Sequence, residues 1–160
     1  MNIALFQPDI PQNAGTILRM AACLGVAVDI VEPAGFDVSD RKFRRSGMDY
    51  LEHVALRRFA SWQSFIGWVR ESGSRLVLAT VRGAVVYTEF LFREADVILF
   101  GRESSGFADY VRKAADETIR IPMLPGMRSL NVAVSAAMIV GEALRQIRPM
   151  PALVPVTANT

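Results

Sequence analysis

The sequence predicts an α/β fold: a mostly parallel sheet with helices on both faces, built as one domain. Two observations carry this. Short apolar runs of strand length alternate with segments of helical pattern along most of the chain, an order that produces a parallel sheet. The length of 160 residues, with 51% hydrophobic and 21% charged, fits a single ordinary globular domain.

The elements follow in order. Residues 3–7 read as a buried strand, and residues 8–13 as a loop in which Asn13 is expected to cap a helix running to Leu24. Gly25 closes that helix, as glycine commonly does. Residues 26–31 form a second strand, followed by a turn at 32–35 and a short polar helix over 37–48. Residues 54–59 are a third strand candidate. Ser61 caps a helix carrying Trp62, Phe65, Ile66 and Val69. Strands are expected at 75–79, 95–100 and 117–121, with a short helix at 107–115. A Pro/Gly loop then leads to a helix that begins at Ser129-Leu-Asn131, where Ser129 and Asn131 are both good N-cap types. From Val132 to Leu144, ten of thirteen residues are Ala, Val, Ile, Leu or Met. A helix apolar nearly all round is expected to be buried on more than one side. Residues 1–148 therefore form the domain, and 149–160, with three prolines and no charge, read as an extended or disordered tail.

Composition excludes several classes. One Cys and one His cannot build a disulfide framework or a metal cluster, so no metal is expected. A reducing, cytoplasmic setting fits, since the start lacks the pattern of a signal peptide. No apolar run reaches the roughly 18 residues of a membrane span. A net charge of +2 is a mild pointer to an anionic partner.

Ligands of parallel sheets bind at the carboxyl ends of the strands, which directs attention to loops 8–13, 80–83, 101–106 and 122–130. Arg19 is the only charged residue between Asp9 and Asp29; it either snorkels at a helix edge or has a task. Gly101-Arg-Glu-Ser-Ser-Gly106 follows a strand and lets backbone N–H groups approach a ligand, or is simply a glycine-closed turn. Neither a P-loop nor a Gly-x-Gly-x-x-Gly fingerprint is present. Arg41-Lys-Phe-Arg-Arg45, with Arg57 and Arg58 further on, is either a phosphate clamp or a solvated face. Cys23, on an apolar helix, reads as core.

Taken jointly, these stretches resemble the SPOUT superfamily of S-adenosylmethionine-dependent RNA methyltransferases. Asn13-x-Gly15-x-x-x-Arg19 resembles its first motif, Phe100-Gly-x-Glu103-x-x-Gly106 its second, and Ile121-Pro122 with Ser129-Leu-Asn131-x-x-x-Ser135 its third. The Pro8-Asp-Ile-Pro-Gln-Asn13 and Arg44-Arg-Ser-Gly-Met-Asp-Tyr50 segments are similar to the minimal TrmL subfamily, tRNA (cytidine/uridine-2′-O)-methyltransferases acting on the wobble nucleotide. The resemblance implies a C-terminal trefoil knot and an obligate homodimer packed through the first and last helices, with a charge at Val140 expected to break it. It implies Arg19, Asn13, Glu103, Ser129 and Asn131 as catalytic residues. S-adenosyl-L-methionine would rest on Ala79, Gly101, Ile121, Leu130 and Ser129, and Arg41, Lys42, Arg44 and Arg45 would hold the tRNA anticodon stem-loop. The alternatives are another tRNA position or ribosomal RNA as target, or a non-catalytic RNA- or nucleotide-binding module.

Overall fold

The computed structural model describes residues 1–36 and 53–148. The polar helix expected at 37–48, the basic residues Arg41, Lys42, Arg44 and Arg45, and the tail at 149–160 lie outside the described residues.

Seven strands form one parallel sheet: β1 (Asn2–Phe6), β2 (Ala27–Val31), β3 (Leu56–Phe59), β4 (Arg75–Ala79), β5 (Val85–Val86), β6 (Asp96–Phe100) and β7 (Glu117–Arg120), in the order β3-β2-β1-β6-β4-β7-β5. Strand side chains alternate between its faces. Ile3, Leu5, Val77 and Ile98 face α1 (Pro11–Leu24) and α4 (Val132–Ile147). Ala4, Phe6, Leu76, Leu78 and Leu99 face α2 (Trp62–Glu71) and α3 (Asp109–Ala114). Because both faces are covered, the strands read as continuous apolar runs.

Local signals explain most element boundaries. Ser61 accepts from the Ser64 N–H at 3.2 Å and the Ser64 side chain returns to the Ser61 N–H, a capping box that starts α2. Gly25 ends α1 at φ 61° and donates to the carbonyls of Ala21 and Ala22.

Five expectations are corrected. Asn13 does not cap α1: Pro11, which needs no N–H partner and is preset in φ, starts the helix earlier, and Asn13 lies within its first turn. Ser129 does not cap α4; Asn131 alone does, accepting from the N–H groups of Ala133 (2.8 Å) and Val134 (3.3 Å). The two-residue strand β5 was not expected, being too short to leave a periodicity. Cys23 is exposed. Val140 is fully buried inside the protomer, and α4 buries one face only, through Ala133, Ala136, Ile139, Val140 and Ala143. Its opposite stripe of Val134, Ala137, Met138 and Gly141 is exposed.

Candidate active site

A cavity of about 680 Å³ opens where the carboxyl ends of β4, β6 and β7 meet the amino end of α4. Four loops build it. The loop after β6 is a closed turn: Gly106, at φ 68°, donates to the Arg102 carbonyl at 2.7 Å. A Cβ on Gly101 would stand 3.2 Å from Gly106 Cα and from Phe107, so that position needs glycine for close approach. After β4, residues 80–83 fold over β7, with the Thr80 N–H on the Ile119 carbonyl at 2.9 Å.

A directed hydrogen-bond relay runs along the cavity wall. Asn131 Oδ1 is committed to the first N–H groups of α4, so its Nδ2 donates to Asn13 Oδ1 at 2.9 Å. That fixes the Asn13 amide, whose Nδ2 donates to Glu103 Oε1 at 3.2 Å. Glu103 Oε2 accepts the Asp9 N–H at 3.1 Å. Burial pushes the Glu103 carboxyl up from its ordinary value, and the neighbouring Asp9 carboxyl pushes it further the same way. Asp9 moves oppositely, to about 2, through its hydrogen bond with the Glu103 carboxyl and then those with Ser104 and Arg102.

The structure brings most of the sequence-derived site together. Asn13, Glu103, Ser129 and Asn131 line the cavity, as do Ala79, Gly101, Ile121 and Leu130. Arg19 does not line it; it lies on the exposed side of α1. Arg57 and Arg58 are half-exposed and already paired, with Asp29 at 2.8 Å and Glu32 at 2.6 Å. Sequence reasoning missed Arg82, Arg112 and Arg128, which also line the cavity. Arg82 and Arg128 sit in two of the loops singled out after strand ends, which was the available signal. Among the described residues no cluster of three or more His, Cys, Asp or Glu is placed to hold a metal, and no helix is long and apolar enough to cross a membrane.

The SpoU rRNA Methylase family matches residues 1–141, and the chain belongs to that family. More particularly, it is 58% identical over 145 residues to the tRNA (cytidine(34)-2′-O)-methyltransferase of Beijerinckia indica, covering 91% of each chain. It is also similar to a solved structure described as giving structural insights into the 2-OH methylation of C/U34 on tRNA. That likeness has a TM-score of 0.85 and 41% identity, over 91% of this chain and 94% of the other. The SpoU methyltransferase AviRb of Streptomyces viridochromogenes, solved in complex with the cofactor AdoMet, is similar at TM-score 0.83 and 32% identity, over 91% of this chain and 60% of that one.

Proposed function

We propose that this chain transfers a methyl group from S-adenosylmethionine to the ribose 2′-hydroxyl of the wobble nucleotide, position 34, of tRNA. The observation that carries the reading is the meeting, in one cofactor-sized cavity, of Asn13, Glu103 and Asn131 from the three motif stretches. Relatives of the same length named for that reaction support the choice of nucleotide.

The residues fit the cofactor. The cavity lies in the size range of small-molecule sites, and Gly101 lines it beside the polar side chains of Asn13, Ser129 and Asn131. Ala79, Gly101, Ile121 and Leu130 would supply backbone to the adenosine, and Ser129 a hydroxyl. The cofactor, when bound, supplies an activated methyl on a sulfonium. The protein must then align a poor nucleophile in line with that methyl and stabilise the charge that develops as the 2′-hydroxyl loses its proton. Arg19 lies outside its own protomer's cavity, so it would serve as a fixed positive charge only from across the homodimer; a guanidinium does not deprotonate in proteins. Asn13, Glu103 and Asn131 hold their polar atoms still around the ribose. Arg41, Lys42, Arg44 and Arg45 bind the anticodon stem-loop backbone, on the strength of four positive charges in five residues.

Residues 1–148 form the catalytic domain, working in the cytoplasm, with 149–160 a tail outside it; a chain ending at Arg148 should retain turnover. The protein acts as a homodimer through α1 and α4. Support comes from the exposed apolar stripe of Val134, Ala137, Met138 and Gly141 on α4 and the exposed Leu24 on α1. Met138→Glu should yield monomers in sedimentation, and a variant that stays dimeric removes this face from the interface. The fold carries a C-terminal trefoil knot. Supporting it, β7 lies between β4 and β5 although the chain has already passed from β4 to β5 and back to β6. A Cβ on Gly83 would lie 2.2 Å from the Ile119 carbonyl carbon. Gln146 of α4 also clamps that loop, donating to the Phe90 carbonyl and accepting from the Phe92 N–H, each at 3.0 Å.

The test is methylation of total tRNA with labelled cofactor, followed by mapping of the modified nucleotide. Label on the ribose of position 34 is expected. Label at another position, or on ribosomal RNA alone, overturns the choice of target.

A further inference from the structure

We propose that Asp9 is a positioning residue for methyl transfer: it grips Glu103 and so anchors the relay through Asn13 and Asn131 from outside the cavity. The inference rests on the reaction proposed above. Asp9 does not itself line the cavity.

The grip is reciprocal. Asp9 Oδ1 accepts the Glu103 N–H at 3.2 Å, while the Asp9 N–H donates to Glu103 Oε2 at 3.1 Å. Asp9 Oδ2 accepts from Arg102 Nε at 3.2 Å. Backbone and side chain of one residue thus hold backbone and side chain of the other. The relay has a fixed polarity, set at its far end by the α4 cap, and it terminates on a carboxylate with two oxygens. Asn13 takes one and Asp9 the other. Glu103 has three rotatable bonds, and with Asn13 alone it would have a single tether.

Asp9 is itself pressed into place from behind. Gln7, a residue with a side chain, stands at φ 47°, a conformation such residues rarely adopt, and this swings the chain out of β1. The Gly35 N–H donates to the Pro8 carbonyl at 2.8 Å. A Cβ on Gly35 would come within 2.9 Å of Asp9 Cα. Segment 7–10 is therefore wedged between the turn after β2 and the loop after β6. Asp9 is the residue through which that wedge reaches Glu103.

The experiment measures kcat and KM for tRNA at saturating cofactor, with cofactor affinity by calorimetry, for wild type, Asp9→Ala, Asp9→Asn, Asp9→Glu and Gly35→Ala. Asp9→Ala keeps the N–H on Glu103 Oε2 but releases the Glu103 backbone and Arg102, and with that loop unpinned should lose about 10- to 100-fold in kcat, the scale of a misplaced catalytic group, with KM and cofactor affinity within about threefold of wild type. Asp9→Glu keeps a carboxylate and should recover part of that loss; Asp9→Asn should fall between. Gly35→Ala touches no cavity residue but must displace Asp9, and should lower kcat a few-fold with affinities unchanged. Wild-type kcat in Asp9→Ala, Asp9→Asn and Gly35→Ala would overturn the role. So would losses confined to KM or to the folded fraction, with Asp9→Glu no better than Asp9→Ala. A wild-type chain that leaves tRNA unmethylated would overturn the reaction, and the role with it.

Discussion

The two ends of the same sheet treat charge differently. Toward the amino ends, Asp96 opens β6 and Asp29 stands at the middle of β2; both are buried, and each is matched by an arginine. Arg75 meets Asp96 through Nε and Nη2, both at 2.8 Å, and Arg57 meets Asp29 at 2.8 and 3.3 Å. Aromatic rings back both guanidinium groups, Phe90 at 4.7 Å from Arg75 and Trp68 at 3.9 Å from Arg57. The carboxyl ends are arranged differently. Glu103 meets amides and a backbone N–H rather than a cation, and Arg82 and Arg128 line the cavity with no ion pair among the described residues. Charge at the first end is consumed in holding strands together. The second end has ion pairs too, Arg102 with Asp9 at 3.2 Å and Arg58 with Glu32 at 2.6 Å, but Arg82 and Arg128 there face the cavity. A pair satisfied by its neighbours serves the fold, whereas a polar group held still and left incomplete serves a reaction.

Substitutions at the two ends should therefore separate activity from stability. The largest effect is expected from Arg19, which lies on the exposed side of α1 outside its own protomer's cavity. Arg19→Ala should reduce kcat by about 10²- to 10³-fold, as removal of a charge-stabilising donor does, with cofactor affinity unchanged by calorimetry. Undiminished turnover would take Arg19 out of the chemistry. At the other end, Asp96→Ala strands the Arg75 guanidinium and should cost about 3 kcal/mol of stability in denaturant melts. The folded fraction should keep its wild-type kcat, and a selective loss of kcat would erase the distinction between the ends. Replacing Arg82 and Arg128 together by Ala should raise KM for tRNA about tenfold and flatten its dependence on salt, since each phosphate contact contributes close to one unit of slope. An unchanged slope would make these cations solvated rim.

The smallest effect concerns pH. Asp9 titrates at about 2 against an ordinary 3.8, so its contribution to stability is present above 3.8 and fades as pH falls toward 2. Glu103, raised by burial and then by Asp9, has the opposite sign: its contribution is present below the ordinary 4.5 and fades as pH rises through the raised value. The two windows do not overlap, so the thermal midpoint should rise slightly as pH falls through the Glu103 window and drop again as pH falls from 3.8 toward 2. In turnover, however, the relay needs an ionised Glu103 to accept from Asn13 and from the Asp9 N–H. The acid limb of kcat should therefore lie above the ordinary glutamate range, and a limb at or below it would remove Glu103 from the relay.

Much of the fold was legible in the chain. The apolar runs located every strand except β5, and Ser61, Gly25 and Asn131 were read correctly as helix boundaries. The loops after β4, β6 and β7, singled out because they follow strand carboxyl ends, are the ones that line the cavity. Asn13 was misread because an Asn before an apolar helix looks like a cap, and only the Glu103 and Asn131 side chains around it show another use. Val140 was misread because periodicity cannot tell which apolar face of α4 meets the protomer's own sheet. Arg57 and Arg58 looked like part of a basic cluster until Asp29 and Glu32, far back in the chain, came beside them.

The sequence by itself determined where strands and helices begin, because caps, glycines and apolar periodicity act within a turn or two of backbone. It also determined which residue types stand after each strand. The strand order β3-β2-β1-β6-β4-β7-β5 was decided only by the tertiary structure, since it depends on burying both faces of the sheet at once. The same packing brings Asn131 to Asn13 across 118 residues and Asn13 to Glu103 across 90. No local preference reaches that far, so the relay along the cavity wall exists only once α1, α4 and the loop after β6 are packed on a common sheet.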